Sequence, residues 1–459
     1  MASVMDVRMC RWAAVVAAVA SMMSLVGALA QSGGEGDGSG MKRIIDGLKS
    51  DVSDERENAA KALDELGKKG LSQEEGLLAL RAAVDKFPPR EREWKESAAD
   101  LVWAVEKQPR EAYIPVVLEL FPKYTSRAKT AALSLLSKTE SRSAANAYMT
   151  VLRAYARTGT IEWFPLAGFG GNPRDADVLF PELLDYASIE GLEWDVYATC
   201  LQYFQSGLLA TEQMLPQAKR VLASYQPRAV KLFPAQQEDG VAWMWEDEYQ
   251  KSRNIAGLLL DLMGYFPEQE VETALRNALR YSDPHLKCYA LLSLVRLGKS
   301  VTKRDVLEVA RSAEMRNCLY SGLGGLDRLD LYPEEFRTQE AFAESTMVTW
   351  LAYPTELARA PDEIELMAVF ESVPQEGEQE EEAIEYYVFR FRVRPEGSDA
   401  EGSWMAGVAG PFLKKEKPST RSYGGTFSKF TSWDGKTARE HLEDILGVLE
   451  KWVEYHDSQ

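Results

Sequence analysis

Histidine and cysteine are scarce in this 459-residue chain, which holds three of the first and four of the second. His285, His441 and His456 stand far apart, so a zinc site built from conventional nitrogen and sulfur ligands is not expected. HExxH, paired CxxC, a Walker loop and GxSxG are all missing, and with them the usual signatures of metalloproteases, P-loop enzymes and Ser-His-Asp hydrolases. The histidines are therefore expected to be exposed or capping, and no cofactor, metal or catalytic residue is expected. Basic charge is also short: the formal net charge is −18. Such a field repels phosphate backbones and anionic lipid, so nucleic acid is not an expected partner.

Long apolar runs are absent except at the amino terminus. Arg8 and Arg11 precede an uncharged stretch from Trp12 to Ala30, closing with Ala28-Leu29-Ala30 before Gln31. That is the grammar of an export signal, and cleavage after Ala30 is predicted. The rival is an uncleaved anchor, since the run nearly reaches the roughly 20 residues a spanning helix needs. Residues 31–40 read as a flexible linker. Removal of the leader leaves Cys200, Cys288 and Cys318. Cys288 and Cys318 fall at similar places in consecutive helices, where axes lie roughly 8–10 Å apart, too far for an easy disulfide. Three buried free thiols are expected.

What is plentiful is helix grammar. Asp54–Gly67 reads DERENAAKALDELG and Asp283–Gly298 reads DPHLKCYALLSLVRLG, each an opening Asp, a face of small and aliphatic residues, then Leu-Gly. Asp54 is placed to cap, Glu57 to reach back, and Gly67 to end the helix in the left-handed region. Pro284 follows the capping Asp283, where a missing N–H costs nothing. Ser126 opens a third version, with Ala128, Ala131, Ala132 and Leu135 on one face. From Met41 to about Tyr332 helices follow one another with short polar joints, at about one pair per 35 to 40 residues.

The two Asp-to-Gly segments resemble the second-helix pattern of HEAT repeats. The resemblance implies a HEAT-like α-solenoid of antiparallel helix pairs over residues 41–352, offering an extended protein-binding surface. After Tyr353 the period changes from helix to strand. Ile364, Leu366, Ala368 and Phe370 alternate with Glu363, Glu365, Met367, Val369 and Glu371, and Tyr387, Phe389, Phe391 and Val393 with Tyr386, Val388, Arg390, Arg392 and Arg394. Two further strands are predicted at Trp404–Ala409 and Thr426–Thr431, then a helix capped by Thr437 and Glu440. Residues 353–459 thus read as a small α+β domain, about four antiparallel strands with one helix across them.

Gly168–Pro173 has no preceding strand and no GK[ST], and reads as a connector rather than a phosphate loop. Its aromatic neighbours Trp163, Phe164 and Phe169 either pack back on the helices or present a surface. Trp243 and Trp245 adjoin Glu246, Asp247 and Glu248, a cluster that suits a sugar or a cation and equally suits a solvated acidic helix start. Arg390, Arg392 and Arg394 share a strand face opposite Glu365 and Glu371, so cross-strand ion pairs are expected. The expectation is an exported, non-enzymatic scaffold with a protein partner and no stable membrane insertion once the leader is gone. Trp163, Phe169, Trp243, Trp245 and Trp404 are its candidate contacts. The alternative is a polysaccharide-active enzyme, a glycosidase or lyase, on an α/α toroid with a β-rich tail.

Overall fold

The computed structural model describes residues 39–90, 95–161, 163–189, 191–210, 212, 215–235, 242–353, 356–372, 383–394, 402–420 and 427–457. The predicted leader and nearly all of the linker lie outside them. The described residues form two compact units, one ending at Val221 and one beginning at Leu222.

The first unit holds α1 (Ser39–Leu48), α2 (Ser53–Lys69), α3 (Gln73–Ala82), α4 (Ser97–Glu106), α5 (Ile114–Leu120), α6 (Ser126–Lys138), α7 (Arg142–Tyr155), α8 (Ala167–Gly171), α9 (Ala176–Leu179) and α10 (Glu193–Gln205). Its helices alternate between two rows. α1, α3, α5, α7 and α9 pack each on the next, and α2, α4, α6, α8 and α10 do the same. Small residues permit this: Ala128, Ala131 and Ala132 of α6 are fully buried together with Leu135. Polar struts tie each row. Ser134 donates to Glu106 at 2.6 Å, Arg142 pairs with Asp177 at 2.6 Å and Arg153 with Glu182 at 2.7 Å.

Helix ends follow the expected chemistry in some places and depart from it in others. Ser72 and Glu75 form a full capping box on α3, and Asp283 accepts from the His285 N–H. In α2, however, the residue before the helix is Val52, with no side-chain cap, and the helix runs on to Lys69. Gly67 is inside the helix and Gly70 takes the positive φ, 102°. The reason is packing: an added Cβ on Gly67 would lie 3.4 Å from Ala104 of α4, so that glycine serves helix approach. Glu57 likewise does not reach back to a cap. It holds Arg90 through two hydrogen bonds of 2.9 and 2.7 Å.

α11 (Ala218–Ala235) spans the boundary between the units. The second unit continues with α12 (Asp247–Met263), α13 (Gln269–Ala278), α14 (Pro284–Arg296), α15 (Lys303–Arg311), α16 (Ala313–Gly325) and α17 (Gln339–Leu351). α12, α14 and α16 again pack in succession. A four-stranded antiparallel sheet follows in the order β1 (Glu363–Ser372), β2 (Ile384–Arg392), β3 (Met405–Leu413), β4 (Phe427–Ser432), and α18 (Ala438–Asp457) closes the chain.

This sheet differs from a half-buried one with a single helix. Ala343, Met347 and Leu351 of α17 pack on Tyr387, Phe389, Phe391, Ala409 and Phe412, while Leu442 and Ile445 of α18 pack on Val388 and Val408 of the opposite face. The central strands β2 and β3 are therefore covered on both sides. The simple alternation read for β1 also fails. A bulge between Leu366 and Ala368 shifts the register. Ile364 packs with the α17 side and Phe370 with the α18 side, because one inserted residue exchanges the faces beyond it.

Candidate functional site

The aromatic side chains singled out from the sequence do not gather in one place. Phe169 is fully buried, edge-on to Tyr148 at 5.2 Å with the Arg174 guanidinium over its ring. Its segment is a short helix, α8, rather than a loop, since Gly168 lies so close to α6 that an added Cβ would sit 2.5 Å from the Ser137 backbone. Trp163 is half-buried; its ring N–H donates to Asp195 at 3.0 Å and its carbonyl accepts from Thr130. Both belong to the packing of the rows.

Trp243 and Trp245 lie in a 3-10 turn, Ala242–Trp245, just before α12. The Trp243 side chain is outside the described residues. Trp245 is half-buried, and its ring N–H is buried without a hydrogen-bond partner among the described residues. Asp247 and Glu248 occupy the first turn of α12, exposed, where negative charge meets the positive end of the helix dipole.

Trp404, just before β3, is half-buried beneath two guanidinium groups, with Arg390 and Arg392 at 4.5 and 4.9 Å from the ring centre. The same arginines meet β1 carboxylates across the strand pair: Arg390 with Glu365 at 2.5 Å and Arg392 with Glu363 at 2.6 Å, with Arg394 adding 2.8 Å to Glu363. Glu371 instead takes Lys414 at 2.7 Å. The face is thus an aromatic and ionic ladder whose positive charge is largely answered from within.

A group of titratable side chains lies between α12, α14 and α16, and its centre is His285. It is not exposed as expected: its side chain keeps 17% of its surface. Its Nε2 is 3.0 Å from Glu314 and its Nδ1 is 3.4 Å from Asp283. Burial alone lowers an imidazole pKa, but the Glu314 charge, helped by Asp283, outweighs it and holds His285 up at about 9. Burial would raise Asp283, yet hydrogen bonds and charge from His285, with Arg253 and Tyr249 adding, hold it down at about 2. Tyr249 donates to the other Asp283 oxygen at 2.8 Å, and its own pKa is raised by burial and by that carboxylate. The arrangement fixes a protonated imidazole between two carboxylates and across a helix interface. His441 departs further from expectation: it is fully buried, stacked 4.5 Å from Trp433, and neither ring nitrogen has a hydrogen-bond partner among the described residues.

The sequence reading passed over this cluster. The available signal was register. His285 stands three residues before Cys288 and Glu314 four before Cys318, so if α14 and α16 pack in parallel the four side chains must meet.

Among the described residues no group of three or more His, Cys, Asp or Glu is placed to hold a metal ion, and no helix is long and apolar enough to cross a membrane. The class these observations define is a mainly helical protein ending in a four-stranded antiparallel sheet. Comparison with protein-family models, curated proteins and solved structures finds no match. The likeness to HEAT repeats therefore rests on the residues of this chain alone.

Proposed function

We propose that the chain is an exported, non-enzymatic scaffold whose helix rows are HEAT-like solenoid segments presenting a preformed surface to a protein partner. The observation that carries this reading is the repeat of like contacts at near-constant sequence separation. Struts join residues 28 apart at Ser134 and Glu106, 32 at Trp163 and Asp195, 34 at Tyr249 and Asp283, and 35 at Arg296 and Asp261. Such spacing is what stacked helix pairs produce, each covering the apolar flank of the next. A surface fixed in advance lowers the ordering penalty of association. Of the candidate contacts, Trp404 and Trp245 suit this role best, being half-buried side chains outside the row interiors, whereas Phe169 belongs to the core.

The test is capture of partners from the native cell envelope by the purified exported chain, with Trp404→Ala and Trp245→Ala compared with wild type. The reading expects one protein retained in stoichiometric amount by wild type and weakened at least several-fold by one of the variants. Turnover of a polysaccharide by the purified chain, with no protein retained, overturns it in favour of an enzyme.

A further inference from the structure

Three contacts along the interface of α14 and α16 form a ladder with both chains running the same way. His285 meets Glu314 at 3.0 Å. One turn on, Cys318 packs against the core cluster that holds Cys288. One further turn on, Gly322 lies so close to Leu292 that an added Cβ would sit 2.5 Å from its Cδ1. Glycine at that rung lets the two helices approach closely on one side of the cysteine pair, as the His285–Glu314 contact does on the other. The two thiols differ in access: Cys288 is fully buried and Cys318 is half-buried.

They also differ in readiness to ionise. The neighbouring Cys288 thiol lowers the Cys318 pKa against the pull of burial, with the His285 charge adding and Asp261 opposing. The Cys318 sulfur and burial push Cys288 up. The groups facing the pair are thus His285 with Asp283 from α14 and its cap, Glu314 from α16, and Arg253 and Asp261 from α12. A half-buried cysteine of lowered pKa beside a fully buried one of raised pKa is the arrangement of an attacking and a resolving thiol.

We propose that Cys288 and Cys318 form a redox modification site, in which a hydroperoxide oxidises Cys318 and Cys288 then closes a disulfide between α14 and α16. In the first step the Cys318 thiolate attacks the terminal peroxide oxygen. The O–O bond breaks, the alkoxide or hydroxide leaves and takes up a proton, and Cys318 becomes a sulfenic acid. In the second, the Cys288 sulfur attacks the Cys318 sulfur and the S–O bond breaks. The hydroxide departs as water with the Cys288 proton. Two thiols lose two electrons in all, and the peroxide is reduced to one alcohol, or water, and one water. The site does not depend on the scaffold reading, since it requires only the packing of these two helices.

The experiment exposes the purified chain to equimolar hydrogen peroxide at neutral pH, followed by alkylation and tryptic mapping. The expected result is a mass loss of two hydrogens, with the peptide starting at Cys288 linked to the peptide starting at Asn317, and reversal by dithiothreitol. Cys288→Ser should leave Cys318 as a sulfenic acid that dimedone traps, while Cys318→Ser should leave Cys288 unmodified. His285→Gln should slow oxidation of Cys318 by about tenfold and move the rate's pH profile upward, whereas a merely structural role would leave the profile unmoved. Repeating the wild-type reaction in urea should scatter linkage to Cys200, which shows that folded geometry selects the pair. Oxidation of Cys318 beyond sulfenic acid with no link to Cys288, a link only through Cys200 or between chains, or no reaction at either thiol would overturn the proposal.

Discussion

Removing the charge at His285 should change how stability depends on pH in one particular window. The imidazole pKa is about 9 in the folded chain against 6.5 for an ordinary histidine. The folded state therefore binds more protons than the unfolded state between these values, and stability falls as pH rises through the window. The contribution is complete below pH 6.5 and gone above about 9. At about 1.4 kcal/mol per decade, the interval corresponds to roughly 3 kcal/mol. Urea unfolding at pH 6 and pH 9.5, followed by far-ultraviolet circular dichroism, measures it. The lowered pKa of Cys318 acts with the opposite sign, so the comparison is made in a Cys288→Ser/Cys318→Ser background. In that background the parent should lose roughly 3 kcal/mol across the window, while His285→Gln should show little slope there. A parent whose stability is level or rises from pH 6.5 to 9, or a variant with the same slope as the parent, refutes the ion cage.

Three further outcomes follow from other contacts. Arg90, whose side chain is 4% exposed, bridges Glu57 and Asp100; Arg90→Ala should destabilise by about 2–3 kcal/mol, because Asp100 loses this partner and Glu57 keeps only the longer contact to Lys95, and denaturant titration reads it. Glu57, held at about 2 mainly by Arg90 with Lys95 adding, should then rise toward the ordinary carboxylate range by NMR. Gly168→Ala places a methyl against the Ser137 backbone and should lower stability by about 1–3 kcal/mol by thermal unfolding. A fragment beginning at residue 353 lacks α17, so Tyr387, Phe389, Phe391 and Phe412 lose their cover; it should bind a hydrophobic dye and show no cooperative melt, and a sharp melt would contradict the layer described for α17.

Much of the helical architecture was legible because it is written locally. Capping pairs such as Ser72 with Glu75, and Thr437 with Glu440, announce helix starts, and the small-residue face of α6 announces burial. The four strands and closing helix were legible for the same reason. What could not be read depended on partners distant in sequence. Gly67 looks like a helix end and is a packing surface, since only the position of Ala104 decides between the two roles. The bulge at β1 has no mark in its own residues, because Leu366-Met367-Ala368 continues an apolar run on either register. The boundary at Tyr353 follows a true change of period, yet α17 before it supplies one covering layer of the sheet. His285 read as exposed or capping because its carboxylate partner Glu314 lies on another helix, 29 positions on.

The stacking of helix pairs is the claim on which the scaffold reading rests, and nearest-neighbour stability is its signature. Hydrogen exchange followed by mass spectrometry, on the full chain and on a chain lacking residues 39–69, measures this directly. Loss of α1 and α2 removes the packing neighbours of α3 and α4 and the Glu57 partner of Arg90 in the segment between them. The account predicts reduced protection confined to α3, α4 and the segment between them, with α6, α7 and α10 exchanging as in the full chain. Loss of protection throughout residues 95–221 would show a single cooperative core instead of a stack and would contradict it.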